Sequence, residues 1–215
     1  MSKLQLAIVM SFDGFVAGPS QSVENPLGIG GEGLHEWVVA LEAWRTRHGL
    51  EGGEVNVSTD VVEERLANVG ATIMGRNMFG GHPGPWSPDE PWNGWWGDEP
   101  PFHHPVFVLT HHAREPLACE GGTTFTFVTD GIESALSQAR EAASGKNVAL
   151  AGGAAACRQF LAAGLVDEME IDLVPLFLGD GERLFEGLGA GNPKLAHVRT
   201  VDARGVTHVK FVRST

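Results

Sequence analysis

One segment combines a strand, two glycines and a helix in a way that suits phosphate chemistry. "NVALAGGAAACRQFL" (147–161) passes from an apolar run through Gly152-Gly153 into a helical pattern. Paired glycines let the backbone approach a ligand, and the first turn of a helix offers free N–H groups and a positive dipole end. The same pair is also common in tight turns that pack a helix on a sheet. The segment therefore predicts either a phosphate cradle or a packed turn.

Two further junctions carry groups that suit an anion. "ATIMGRNMF" ends its apolar run at Gly75 and Arg76, and "VFVLTHHAR" ends its run at Thr110 and His111 with Arg114 nearby. A guanidinium pairs well with phosphate oxygens, although a lone arginine is often found in a surface ion pair. Because ligands of open α/β sheets bind at the carboxyl ends of the strands, we expect the three junctions to share one site.

The elements that position these junctions alternate along the chain. Short apolar runs predict strands at 4–10, 71–75, 106–110, 123–129 and 147–151, and helical spacing predicts helices at 34–44, 59–70, 130–145 and 152–164. Acids alternate with apolar residues over 168–173, which indicates a strand with one polar face. Two last runs, 195–203 and 206–213, flank "RG" and predict a hairpin. The pattern predicts a single α/β domain over residues 1–215, with a central mixed, mainly parallel sheet flanked by helices and an antiparallel C-terminal edge.

The composition argues against several classes of binding partner. Asp and Glu number 27 against 15 Lys and Arg, so the chain lacks the basic field that binds nucleic acid or an anionic membrane surface. Two cysteines, Cys119 and Cys157, are too few for a disulfide framework or a structural zinc site. The first apolar run is too short for a secretion signal or a membrane span. We expect a cytoplasmic protein that acts on a small molecule.

Four segments together resemble a known family. They are "SFDGFVAG", "MGRNMF", "VFVLTHH" and "LAGGAAACRQFLAAGLVDEMEIDLVPLFLGDGERLF". The chain resembles the dihydrofolate reductase-like superfamily, in the branch that contains the RibD C-terminal reductase domain of bacterial riboflavin biosynthesis proteins. The resemblance implies a dihydrofolate reductase-like fold, hydride transfer from NADPH to a small heterocyclic or carbonyl substrate, and a homodimer paired through the C-terminal strands.

The resemblance also implies roles for individual residues. The glycine pair and the following amides would hold the pyrophosphate. The second junction would hold the phosphate-bearing adenosine half, and the third would hold the region of the ribose 2′-phosphate. The first strand and its loop would flank the nicotinamide. In that order, these residues are Gly152, Gly153, Ala154 and Ala155; Gly75, Arg76 and Asn77; Thr110 and His111; and Val9, Val16 and Ala17. Met78 stands where family members often have a threonine that binds phosphate.

The group that would donate a proton is less clearly marked. Dihydrofolate reductases use a carboxylate on a helix, which points to Asp60, or to Glu64 on the same helix, with Glu36 as another candidate. Asp60 also suits a helix N-cap or first turn, where an acid favours the helix dipole. If catalysis were lost, the chain would be a nucleotide-binding sensor, and a third alternative is an aromatic-ligand or carbohydrate binder that uses its tryptophans.

Those tryptophans lie in an insertion at about residues 80–105. "PWNGWWGDEPPFHH" holds Trp92, Trp95 and Trp96, which favour a structural or dimer contact over direct contact with substrate. The paired histidines at 103–104 and 111–112 lack the spacing of a metal site, so no metal is predicted.

Overall fold

The computed structural model describes residues 2–89, 91–189 and 194–214. Its centre is a nine-stranded sheet in the order β10-β11-β8-β1-β7-β3-β4-β6-β5. The strands are β1 Leu4–Ser11, β3 Val69–Gly75, β4 Pro105–Leu109, β5 Leu117–Ala118, β6 Thr124–Val128, β7 Asn147–Gly152, β8 Glu168–Val174, β10 Leu195–Ala203 and β11 Val206–Arg213. Two short strands, β2 Phe15–Ala17 and β9 Glu182–Arg183, pair separately.

The six strands from β8 to β6 run parallel, and both edges of the sheet are antiparallel. At the C-terminal edge β10 and β11 form the predicted hairpin, and β11 pairs with β8. The predicted fold class is therefore confirmed. The structure adds β5, a two-residue antiparallel strand at the opposite edge.

In the described part of the chain, six α-helices surround the sheet. They are α1 Glu36–Val39, α2 Glu42–Arg47, α3 Val57–Leu66, α4 Arg76–Phe79, α5 Ile132–Ala142 and α6 Ala154–Ala162. Asn56 caps α3 by accepting a hydrogen bond from the amide of Ser58 at 2.9 Å. The buried side of α5 is formed by Ile132, Ala135, Leu136 and Ala139, at the spacing that predicted this helix.

The prediction of one continuous helix over 34–44 is wrong, because the structure has two shorter helices, α1 and α2, in this region. Leu41 has extended backbone angles and forms a bridge with Glu54, so the chain leaves α1 and restarts as α2. The amide of Glu42 donates to the carbonyl of Glu54 at 2.9 Å, and the amide of Glu54 donates to that of Ala40 at 2.8 Å. The apolar residues of this segment still pack together, because Leu34, Trp37, Val38, Leu41 and Trp44 all join one cluster. Periodicity thus identified the buried face and missed the break.

The predicted polar face of β8 is also corrected. Glu168, Glu170 and Asp172 are buried like the apolar residues that alternate with them. They are buried because cations and hydrogen-bond donors from other elements cover them: Lys3 and Gln5 reach Glu168, while Arg65 reaches the other two. An alternating pattern reports polarity, whereas burial depends on what packs on the polar side.

No helix among the described residues has the length and apolar character to cross a bilayer.

Candidate functional site

A cavity of about 740 Å³ lies at the carboxyl ends of the central parallel strands. The ends of β1, β3, β4 and β7 contribute Val9, Gly75, Leu109 and Gly152 to its wall. This is the edge at which open α/β sheets bind ligands. All twelve residues predicted to bind a cofactor line this cavity: Val9, Val16, Ala17, Gly75, Arg76, Asn77, Thr110, His111, Gly152, Gly153, Ala154 and Ala155.

The glycine pair presents a helix start to the cavity. Gly152 has φ +128°, a conformation that side chains rarely adopt, and the Gly152-Gly153 peptide bond is cis. Helix α6 begins at Ala154 with no side-chain cap, so the first-turn amides of Ala154 and Ala155 are not covered by a capping group. Free first-turn amides with the positive end of a nine-residue helix form a site for a phosphate group.

Arg76 opens α4 immediately after β3 and has no acidic partner among the described residues. Its guanidinium lies 3.6 Å from the centre of the Trp86 ring, and Nη2 donates to the carbonyl of His82 at 3.0 Å. Nε is buried without a hydrogen-bond partner. Burial, and next the charge of Arg114, lower the pKa of Arg76. A cation with spare donors, held by an aromatic ring and not by a carboxylate, suits an anionic ligand.

Arg114 strengthens the positive field beside Arg76. Its guanidinium lies 5.0 Å from the ring centres of Trp86 and Phe127, and Nη2 donates to Asn93 Oδ1 at 2.7 Å. No carboxylate pairs with it in the part of the chain that the structure describes. Two arginines therefore lie beside the Trp86 ring, and of the two Arg76 lines the cavity.

The third junction contributes backbone and imidazole groups. Thr110 is buried, and its hydroxyl accepts a hydrogen bond from the amide of His112 at 3.1 Å. His111 is exposed, and both histidines line the cavity. The Thr110 hydroxyl thus holds the turn that presents His111 and His112.

The tryptophan segment has both a packing role and a place in the cavity wall. Trp95 Nε1 donates to the carbonyl of Met78 at 3.0 Å, and Trp92 Nε1 donates to that of Phe79 at 2.8 Å. Trp96 stacks on Phe125 with ring centres 5.9 Å apart. Trp95 and Trp96 also line the cavity, whereas Trp92 does not. The segment follows α4 without a helix or strand up to β4 in its described part, and Glu90 lies outside that part.

The loop that follows β1 is fastened at its base. The Asp13 carboxylate accepts hydrogen bonds from the Ser11 hydroxyl at 2.6 Å and from the amides of Gly179 at 2.7 Å and Leu178 at 3.2 Å. The Ser11 bond, opposed by slight burial and aided by the amides, lowers the pKa of Asp13 to about 2. β2 follows directly and pairs with β9, which places Val16 and Ala17 on the cavity.

The opposite end of the cavity holds three groups that the sequence did not single out. His35, Arg65 and Asp172 all line it. Arg65 binds Asp172 through two hydrogen bonds of 2.8 and 2.9 Å and Glu170 through one of 3.0 Å. Burial opposes ionisation of both partners, but their attraction prevails: the pKa of Arg65 is raised and that of Asp172 is lowered.

This ion pair continues into the core. His208 Nδ1 lies 2.6 Å from Asp172 Oδ1, and its Nε2 lies 2.9 Å from the Ser58 hydroxyl. Glu170, Asp172 and His208 bring ligand-type atoms within 4.8 Å of one another, as a metal site would. Arg65 already supplies the positive charge there, so the geometry is that of an ion-pair network.

The acids predicted as proton donors lie elsewhere. Asp60 is exposed in the first turn of α3, and it does not line the cavity. Glu64 is half exposed and pairs with Arg199 and Lys210 at 2.6 and 3.3 Å, and Glu36 is exposed on α1. The structure does not bring any of the three to the cavity wall, so the catalytic assignment of Asp60 has no geometric support.

The histidine pair at 103–104 makes hydrogen bonds within the fold. His104 Nε2 lies 2.7 Å from the Thr72 hydroxyl, and His103 Nδ1 lies 2.9 Å from the Gly121 carbonyl. Burial lowers the pKa of His104 to about 4. These two histidines serve local packing of β3, β4 and the turn before β6.

Comparison with known proteins gives a family and a fold. The family model described as the RibD C-terminal domain matches residues 2–207. A comparison with curated proteins finds no match. Among solved structures, a protein from Shewanella sp. PV-4 with a provisional riboflavin biosynthesis name is 20% identical, with a TM-score of 0.62 and 99% of both chains covered.

Two longer proteins share the fold over part of their length. RibD from Acinetobacter baumannii is 15% identical with a TM-score of 0.58, and the match covers all of this chain and 59% of that one. A deaminase/reductase from Thermotoga maritima, whose name includes 5-amino-6-(5-phosphoribosylamino)uracil reductase, is 14% identical with a TM-score of 0.57. That match covers 99% of this chain and 57% of the other. At these identities the likeness concerns the fold.

Proposed function

The chain belongs to the RibD C-terminal domain family, and from that membership we propose that it is an NADPH-dependent oxidoreductase of a small heterocyclic or carbonyl substrate, akin to the reductases of riboflavin biosynthesis. The observation that carries the proposal is the cavity wall, in which uncapped helix amides and an arginine with no acidic partner in the described part of the chain lie at the same edge of the sheet. Helix amides suit a pyrophosphate, and a guanidinium suits a ribose phosphate, so the wall holds the kinds of group that a dinucleotide needs.

Different residues of the cavity wall would bind different parts of NADPH. The amides that follow Gly153 would hold the pyrophosphate, and Arg76 would hold the 2′-phosphate, with Arg114, 5.0 Å from the Trp86 ring centre, adding to the positive field. Apolar Val9, Val16 and Ala17 would flank the nicotinamide and exclude water. NADPH, when bound, supplies a hydride from C4 of that ring. The protein's part is to orient the two reactants and to hold a proton source beside them.

The end of the cavity lined by His35, Arg65 and Asp172, which we call the acceptor end, favours an uncharged substrate. Arg65, the arginine that lines this end, already pairs with two buried carboxylates, so its charge is not available to a substrate phosphate. We therefore expect a phosphate-free pyrimidine or similar heterocycle to bind better than its phosphoribosyl form.

The test is calorimetric titration with NADPH, followed by measurement of its oxidation with an acceptor panel. The panel contains 5-amino-6-(5-phosphoribosylamino)uracil, its phosphate-free form, a dihydropterin and small aldehydes. Saturable binding at submillimolar NADPH with oxidation by at least one acceptor is expected. Absence of binding at that concentration would contradict the proposal.

One observation favours a second candidate, a nucleotide-binding sensor. Asp60, Glu64 and Glu36 all lie off the cavity wall, so a carboxylate donor of the expected kind is not in place. NADPH binding without oxidation by any acceptor would support the sensor over the enzyme.

A further inference from the structure

His35 is half-buried and lines the acceptor end of the cavity. It lies between the 3₁₀ turn Gly31–Leu34 and α1, and it lines the cavity together with Arg65 and Asp172. Nδ1 is buried and has no hydrogen-bond partner among the described residues. Nε2 is therefore the ring nitrogen through which His35 can meet a ligand.

The surroundings of His35 bear on its charge. Burial lowers its pKa, while the Gly31 backbone and the Asp172 carboxylate favour the protonated ring. Asp172 is itself bound to Arg65 of α3 and His208 of β11, and the exposed Glu32 and Glu36 flank His35 in its own turn. A ring that sheds its proton readily, with a fixed carboxylate near it to stabilise the imidazolium, has the properties of a general acid.

We propose that His35 is the catalytic acid, which gives its proton from Nε2 to the oxygen or nitrogen of the C=O or C=N bond that is reduced. The hydride from NADPH forms the new C–H bond, the π electrons move to the heteroatom, and that atom takes the His35 proton. NADPH becomes NADP⁺, the acceptor becomes an alcohol or amine, and solvent reprotonates the imidazole. This proposal rests on the proposed function, because it needs NADPH as the reductant.

Three neighbours are less suited to this task. Arg65 is held by two carboxylates and its pKa is raised, and Asp172 is ionised by the same pair. Glu182 lies 3.6 Å from Arg158 in a partly exposed ion pair near β2. Among the described lining residues at this end, His35 alone combines a place on the cavity wall with an ionisable group that is not held in an ion pair.

The experiment compares the wild type with His35→Gln, which keeps a polar side chain and removes the proton. For each acceptor that is reduced, kcat/KM is measured against pH, and NADPH dissociation constants and melting temperatures are measured alongside. His48→Gln is the matched control, because His48 stacks on Trp44 and does not line the cavity. The ring pKa of His35 is measured separately by NMR in wild-type protein with NADP⁺ bound.

We expect the wild-type kcat/KM to fall as pH rises through the pKa of His35, which lies below the ordinary value of about 6.5. His35→Gln should lose about 10²- to 10⁴-fold in kcat/KM and lack that pH inflection, with NADPH affinity and melting temperature preserved. A variant that keeps the wild-type pH profile would overturn the proposal for His35 and leave the NADPH-dependent reduction of the acceptor unchallenged. If the panel yields no turnover, the acid role of His35 falls together with the enzyme, whereas the NADPH titration still tests the cofactor site separately. In wild-type protein, an NMR titration in which the ring pKa is not lowered from its ordinary value would also contradict the proposal.

Discussion

Replacement of Arg76 by alanine is the most direct probe of cofactor choice. Arg76 has no acidic partner among the described residues, its Nε is buried without a hydrogen-bond partner, and it lies 3.6 Å above the Trp86 ring. If it binds the 2′-phosphate, Arg76→Ala removes a charge-assisted contact that is present with NADPH and absent with NADH. A comparison of NADPH with NADH binding therefore separates the effect of losing the charge from the effect of losing the packing of Arg76.

The magnitude follows from the contacts. A hydrogen bond to a charged group contributes about 1.5 to 3 kcal/mol, which corresponds to roughly 10- to 150-fold in the dissociation constant. Loss of the guanidinium–Trp86 contact, about 0.5 to 1 kcal/mol at a partly exposed site, would affect both nucleotides alike. We expect NADPH to weaken by about 10- to 100-fold and NADH by less than about 5-fold.

Calorimetric titration of both nucleotides at two salt concentrations checks this expectation. Arg140→Ala is the matched control, because Arg140 lies on α5, off the cavity, in an ion pair of 3.6 Å with Asp167. Equal weakening of NADPH and NADH by Arg76→Ala would refute the reasoning and remove Arg76 from the 2′-phosphate.

The remaining predictions concern stability, its pH dependence, the tryptophan segment and assembly. Arg65→Met should lower the free energy of unfolding in urea by about 3 to 5 kcal/mol, because it leaves the carboxylates of β8 buried without their cation; a loss below about 1 kcal/mol would contradict this. Since the folded pKa of Asp172 is lowered, its contribution is full above the unfolded pKa of about 4, and wild-type stability should decline as pH falls below that value. Trp95→Ala should both lower the melting temperature and weaken NADPH binding, whereas Trp92→Ala, which lies off the cavity wall, should lower only the melting temperature. We also propose a homodimer that pairs through the free edge of β10, to be measured by analytical ultracentrifugation; a monomer at tens of micromolar would argue against it.

Local sequence signals predicted much of the fold. The hairpin of β10 and β11 has the predicted bounds, because alternation and a two-residue turn are local properties. The helix over 34–44 was predicted from spacing alone, and its break at Leu41 depends on pairing with Glu54, thirteen residues further on. A bridge to a distant segment leaves no mark in helical periodicity.

The site was predicted unevenly for a related reason. Its cofactor end follows from strand ends, and the carboxyl ends of parallel strands must meet at one edge whatever their order. The acceptor end is assembled by side chains from α3, β8 and the turn before α1, and no local pattern marks that meeting. In "LHEW" the acid Glu36 is a predicted proton donor, yet it is exposed off the cavity while its neighbour His35 lines the cavity.

Local patterns in the sequence predicted the main strands and helices, the three strand-end junctions and the resemblance to a reductase family, because these depend on residue types a few positions apart. Only the tertiary structure decided that the acids of β8 are buried against Arg65, that Asp60 faces solvent, and that two of the tryptophans form part of the cavity wall. Those outcomes depend on which distant side chains pack on each face. Burial and pairing, which set charge and accessibility, are properties of that packing.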